Sequence, residues 1–135
     1  MTASPNLTLA TLPQNEISLQ NASLDIWDKK YRLKDKNGNY VDEDIDGSYQ
    51  RVAEALADVE DDEKSKLHWK QQFVWALRQG AIPAGRIISN AGAQDHKPAT
   101  STINCTVSGS VQDSMQDILE KNLEAGLTLK AGCGI

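Results

Sequence analysis

A chain of 135 residues with 24% charged and only 5% aromatic residues can bury no more than a modest core. Its formal net charge of -5 argues against a nucleic-acid-coating surface, which needs a basic patch. No apolar run approaches the roughly 20 residues that span a bilayer, and the N-terminus lacks the basic start and apolar block of a secretory signal, so a cytoplasmic protein with no membrane partner is expected.

Residues 1–22 are rich in Asn, Gln, Ser and Thr without a sustained period, and read as a mobile N-terminal arm. A small helical domain is expected over 23–82. Leu24, Ile26, Trp27 and Tyr31 suggest a short helix, and Asn37-Gly38 supplies a tight reversal. Asp42 to Asp46 reads as an acidic loop. Ser48 is placed to cap a helix running to about Asp58, with Val52, Leu56 and Val59, together with Ala53 and Ala55, as its apolar stripe. The acidic run Glu60 to Glu63 reads as a solvated loop. A second helix is expected over Lys66 to Gln79, with Trp69, Phe73, Ala76 and Leu77 on one face and Gly80 as its stop. The short link between the two helices favours an antiparallel pair.

After Gly80 the character changes. Ile82 to Gly85 reads as a loop, Arg86 to Asn90 as extended, Ala91 to Ala93 as a turn, and Gln94 to Ser101 as a polar connection. Thr102 to Ser108 alternates as a strand, with Ile103, Cys105 and Val107 sharing a face. Asp113 or Ser114 caps a helix carrying Met115, Ile118, Leu119 and Leu123, which fades by Gly126. Leu127 to Leu129 reads as a short strand or helix end, and Lys130 to Ile135 as a glycine-rich loop. The fold class is therefore α+β. A strand–helix unit cannot bury both faces alone, so the 83–135 part is expected to be a truncated piece of something larger.

Candidate chemistry is sparse. A lone mid-strand cysteine is more often a small core residue than a reactive one, and the residue pattern alone favours that reading of Cys105. Cys133, between two glycines, fits a tight loop. His68 and His96 show no zinc-type spacing to either cysteine, so no metal site is expected. Gly132 and Gly134 would let backbone amides approach a phosphate, or simply make a turn. Arg86 would pair with an anion or form a surface salt bridge.

Four segments in order and spacing resemble the first part of the ribonucleotide reductase large subunit: Ser89–Gly92, Ser101–Val107, Asp113–Met115 and Lys130–Ile135. Tyr31–Gly38, Arg51–Ala53 and Phe73–Pro83 resemble that family's helical N-terminal domain, so the likeness covers roughly 24–135. The wording of Ala84–Ile87 and Leu129–Ile135 is most similar to adenosylcobalamin-dependent members, and no ATP-cone domain precedes the helices. The resemblance implies that 83–135 opens the catalytic α/β ten-stranded barrel, that Cys105 is the first redox cysteine, and that it ends in a disulfide with a distant cysteine. It implies substrate contacts at Asn104 and Gly132, and contacts from Asp113, Ser114 and Met115 to a deoxynucleotide or ATP specificity effector. It also implies a ribonucleotide substrate, a thioredoxin-like dithiol reductant, and a cobalamin-binding region outside this chain. The sequence departs from the family at Ile87, where Thr is frequent, and at Cys133, where Gly or an aliphatic residue is frequent. The radical-bearing cysteine, its Asn and Glu partners and the second redox cysteine are expected in a completing chain or downstream segment, so the chain alone is expected to be inactive. The alternative is a non-catalytic helical interaction module, or a truncated remnant, in which Cys105 is inert.

Overall fold

The computed structural model describes residues 17–97 and 101–135; most of the expected N-terminal arm and the Pro98 stretch of the polar connection lie outside them. Five α-helices succeed one another among the described residues: α1 (Asn21–Ile26), α2 (Ile45–Ala57), α3 (Glu63–Arg78), α4 (Gly85–Asn90) and α5 (Met115–Lys130). None of them is long and apolar enough to cross a membrane.

The short helix expected near Trp27 is present, but it widens into a π-helical turn over Trp27–Tyr31. The amide of Arg32 closes that turn onto the Trp27 carbonyl at 2.9 Å. The Arg32 side chain then bonds Asp28 at 2.8 Å and the Asp42 carbonyl at 2.9 Å, which holds the wider turn in place. The reversal at Asn37-Gly38 forms as expected. Gly38 has a φ of 87°, and the Asp35 carboxylate accepts from the amides of Asn37 and Asn39, both at 2.8 Å.

The helix pair forms, but its starts differ from expectation. Asp44, not Ser48, caps α2: its carboxylate accepts from the Gly47 amide at 2.8 Å. Ser48 lies fully buried instead, donating to Asp42 at 2.6 Å and accepting from the Trp27 indole at 2.9 Å. Asp62 caps α3 by accepting from the Ser65 amide at 3.0 Å, so the end of the acidic run begins the helix rather than staying in the loop. Carboxylates suit that position because the exposed N–H groups and the helix dipole favour negative charge there.

The buried face of α2 is Tyr49, Val52, Ala53 and Ala57; Val52 and Ala53 are buried as expected, but Leu56 is exposed and Val59 is 81% exposed, so the true stripe is rotated toward Tyr49 and Ala57. Small Ala53 lets α3 approach, and Val74 and Leu77 fill the contact with Ile88 and Ala91. Trp69 is exposed and stacks on Phe73 at 5.8 Å rather than entering the core. Asp46–Arg78, Glu54–Lys70 and Asp58–Lys66 pair along the two helices in opposite chain directions, as an antiparallel pair requires. These pairs are largely exposed and screened by solvent, so the apolar contact carries the stability.

Beyond Gly80 the expectations fail more often. Arg86 to Asn90 is helical, not extended. Buried Ile88 packs against α2, and that tertiary contact overrides the β preference of adjacent isoleucines. The Thr102–Ser108 strand does not form, and no strand occurs among the described residues. Cys105 makes one isolated parallel bridge to Gly134, while Val107 is 97% exposed. A strand needs a ladder of partners, and the described residues offer this segment only Gly134. The strand–helix unit of a barrel is thus reduced to an extended segment beside a helix. α5 does not fade at Gly126 but continues through Leu127–Leu129 to Lys130.

Candidate functional site

The site is assembled from α4, the extended segment after Ser101, and the glycine loop at the end of α5. α4 is anchored first. Arg51 on α2 donates to the Ala91 carbonyl at 2.6 Å and the Ile88 carbonyl at 3.1 Å. Asp42 holds that guanidinium at 2.9 and 2.8 Å, and also accepts from the Leu33 amide at 3.1 Å. Burial pushes the Asp42 carboxyl up, but hydrogen bonds from Arg51, Ser48 and Leu33 outweigh it and hold the carboxyl below its ordinary range.

Once anchored, α4 positions the segments that follow it in the chain. Asn90 donates to the Ser101 carbonyl at 2.7 Å. Lys97 donates to the Ser89 carbonyl at 2.7 Å and to the Asn90 side-chain oxygen at 3.3 Å. Arg86 donates to the Gly132 carbonyl and lies within reach of the Ala131 carbonyl at 3.4 Å. Gly132 has a φ of 79°, a left-handed backbone conformation that favours glycine, and the Arg86 guanidinium packs against it.

The extended segment meets Gly134 of the glycine loop through three hydrogen bonds. The Gly134 amide donates to the Asn104 carbonyl at 3.0 Å, and the Thr106 amide and hydroxyl donate to the Gly134 carbonyl at 2.9 and 3.1 Å. Cys105, opposite Gly134, is exposed. A Cβ on Gly134 would come within 3.1 Å of its sulfur, so glycine there keeps room for the thiol. The Asn104 amide approaches the same sulfur at 3.7 Å.

Cys133 behaves differently. Its thiol is buried, donates to the Ile103 carbonyl at 3.0 Å and sits 3.4 Å from the Ser101 hydroxyl. Alternation along an extended backbone sends the side chains of 133 and 134 to opposite sides. Cys105 faces the Gly134 side, so the two thiols point apart.

Cys105, Asn104 and Gly132 are therefore brought into one neighbourhood. Asp113, Ser114 and Met115 are not: they are exposed at the far end of α5, about 24 Å along a 16-residue helix from the glycine loop. Of the two expected caps, Ser114 is the one used, accepting from the Asp117 amide at 3.2 Å. Lys97 carried no sequence signal of a role, and Gly134, read as a phosphate approach or a plain turn, instead pairs with Cys105. Arg86 was recognisable only as a cation without an obvious partner.

The fold of 17–97 defines a small all-helical domain, and the exposed Cys105 lies on the extended segment that follows it. A family model described as "Ribonucleotide reductase, all-alpha domain" matches residues 17–96, more than half of the chain. The chain belongs to this family, as the helical part of a ribonucleotide reductase large subunit. No curated protein matches the chain. The matched span ends before Cys105, so it identifies the helical scaffold and leaves the role of the thiol to be argued from chemistry.

Proposed function

We propose that this chain is the opening part of a ribonucleotide reductase catalytic subunit and that Cys105 is one of its two reducing thiols. The observation that carries this reading is the exposed Cys105 sulfur, fixed opposite Gly134 on a segment anchored to the family's helical domain. Replacing the 2′-hydroxyl of a ribonucleotide by hydrogen takes up two electrons and two protons. Two thiols give these up as they join in a disulfide, and the hydroxyl leaves as water. A thioredoxin-like dithiol then resets the pair by exchange. Cys133 does not fit as the second thiol, because it is buried and directed away from Cys105. The partner cysteine and the radical-bearing cysteine then belong to a completing chain or segment.

Asn104, whose side-chain amide approaches the Cys105 sulfur, and Gly132, in the loop that also carries Gly134, are proposed as substrate contacts. Asp113, Ser114 and Met115, at the other end of α5, are proposed to contact the specificity effector. Adenosylcobalamin, implied by the sequence resemblance alone, would supply the radical; no described residue is assigned to hold it.

Ribonucleotide reduction with a dithiol reductant tests the reading. The 135-residue chain alone gives no deoxyribonucleotide, and it restores product formation when combined with a chain carrying the remaining cysteines. Turnover by this chain alone would contradict the requirement for a second thiol elsewhere.

A further inference from the structure

The reversal at Asn37-Gly38 carries a chemical lability. The side-chain carbonyl carbon of an asparagine can be attacked by the main-chain nitrogen of the next residue, and any side chain on that residue obstructs the approach. Asn37 is the one asparagine in the chain that precedes a glycine, and Asp46 is the one aspartate that does. The structure separates these two pairs.

Asn37 and Gly38 are both exposed, and a Cβ built on Gly38 meets nothing within 4 Å. One turn hydrogen bond, from the Gly38 amide to the Asp35 carbonyl at 3.1 Å, must open before that nitrogen attacks. Exposed turn bonds of this kind open at little cost in free energy. Asp46-Gly47 instead lies in the first turn of α2. There the Asp44 carboxylate holds the Gly47 amide at 2.8 Å, and Arg78 holds the two Asp46 oxygens at 2.7 and 2.8 Å. An ionised carboxylate is also a poor electrophile. Asn39, two residues beyond Asn37, has its side-chain amide tied to Asp35 at 2.9 Å and precedes the bulky Tyr40.

We propose that Asn37 is a site of spontaneous deamidation, and that its isoaspartyl product loosens the anchor of α4 as the protein ages. The Gly38 nitrogen loses its proton and bonds to the Asn37 Cγ. The Cγ–Nδ2 bond breaks, Nδ2 takes up a proton, and ammonia leaves a five-membered succinimide. Water then opens the ring at Cγ, giving an aspartyl residue, or at the main-chain carbonyl, giving an isoaspartyl residue whose backbone runs through Cβ and Cγ. No electrons are exchanged, and water is the only co-reactant.

The isoaspartyl product lengthens the backbone by one carbon and sets a new carboxylate beside Asp35. Asp35 organises the reversal, accepting from the Asn37 and Asn39 amides at 2.8 Å and donating its own amide to the Asn39 carbonyl at 2.9 Å. The two limbs are registered by Lys34 opposite Tyr40 and by the Val41 amide on the Leu33 carbonyl at 2.9 Å. The Arg32 guanidinium lies 3.5 Å from the Tyr40 ring centre, and the Leu33 amide donates to Asp42. A change of register at the tip is therefore passed to Asp42. Asp42 holds Arg51, and Arg51 holds the Ile88 and Ala91 carbonyls of α4.

Ageing the 135-residue chain in mildly alkaline buffer at physiological temperature, with fragmentation mass spectrometry, tests the proposal. Asn37 should gain the mass difference between an amide and an acid faster than Asn39, Asn90 or Asn104. A protein isoaspartyl methyltransferase should label the aged chain at position 37 and leave position 46 unlabelled. Gly38→Ala should slow the conversion, and Asn37→Gln should remove it, because the larger ring closes far more slowly. In urea, the isoaspartyl fraction should unfold at a lower midpoint than fresh chain. Asn37→Asp adds the charge but keeps the normal backbone, so it should stay near wild type. Conversion at Asn37 no faster than at Asn39, or label at position 46 in its place, would overturn the site. An isoaspartyl fraction as stable as Asn37→Asp would overturn the link to α4.

Discussion

Asp42→Ala offers a quantitative test of how α4 is held in place. Asp42 is 2% exposed and accepts from Arg51, Ser48 and the Leu33 amide; the Arg51 side chain is itself only 10% exposed. Removing the carboxylate leaves a buried guanidinium facing only the carbonyls of Ile88 and Ala91. Breaking one side of a buried ion pair costs about 3–5 kcal/mol. The whole stability of a domain is about 5–15 kcal/mol, so the variant should sit close to the threshold of folding. Urea unfolding followed by far-UV circular dichroism reads the loss directly.

The pH dependence has a definite sign. The folded Asp42 carboxyl titrates below its ordinary range, so its contribution is fully present above about pH 4 and is lost as pH falls through the folded value. Wild type and Asp42→Ala should therefore converge in stability toward acid. A loss under about 1 kcal/mol at neutral pH, or a gap that does not narrow on acidification, would refute the buried-anchor account.

Three further outcomes are expected. Gly92→Ala should destabilise more than Gly38→Ala: both positions have positive φ, costing about 1 kcal/mol, but only at Gly92 would the Cβ strike Arg51, at 2.8 Å. Paired urea titrations check the order. Asp62→Ala should lower the urea midpoint through the lost α3 cap, read by the same titration, whereas Asp62→Asn should largely keep it. Iodoacetamide should modify Cys105 in the native chain and Cys133 only on unfolding, and mild oxidation should give no bond between them; mass spectrometry finding that intramolecular disulfide would show that the two thiols do meet.

The helix pair was legible in the sequence because its apolar period survives averaging over three or four turns. Its caps were less so: Asp44 and Asp62 sat inside acidic runs that read as solvated loop, and Ser48 looked like a cap when it is a buried bridge between Trp27 and Asp42. The burial of Asp42 depends on Arg51, nine residues away on another element, and no local pattern carries that. α4 and the expected strand failed for one reason: each is decided by tertiary partners. Ile88 finds a helix to pack on, whereas Ile103 and Val107 find no ladder among the described residues. At the site, alternation around Cys105 favoured a structural thiol, and motif order alone suggested a redox role. The structure adds the exposure of its sulfur, the room left by Gly134 and the burial of Cys133 on the other side. Lys97 had no sequence signal at all, because its contacts are oxygens of Ser89 and Asn90 on α4 that no local pattern marks.

The central claim is that Cys105, and not Cys133, delivers electrons to a ribonucleotide. Its most direct measurement is dithiol-dependent multiple turnover of the completed reductase carrying Cys105→Ser, with Cys133→Ser alongside. The account predicts that Cys105→Ser abolishes sustained turnover while Cys133→Ser retains it. Full turnover by Cys105→Ser would contradict the account and make Cys105 a structural thiol.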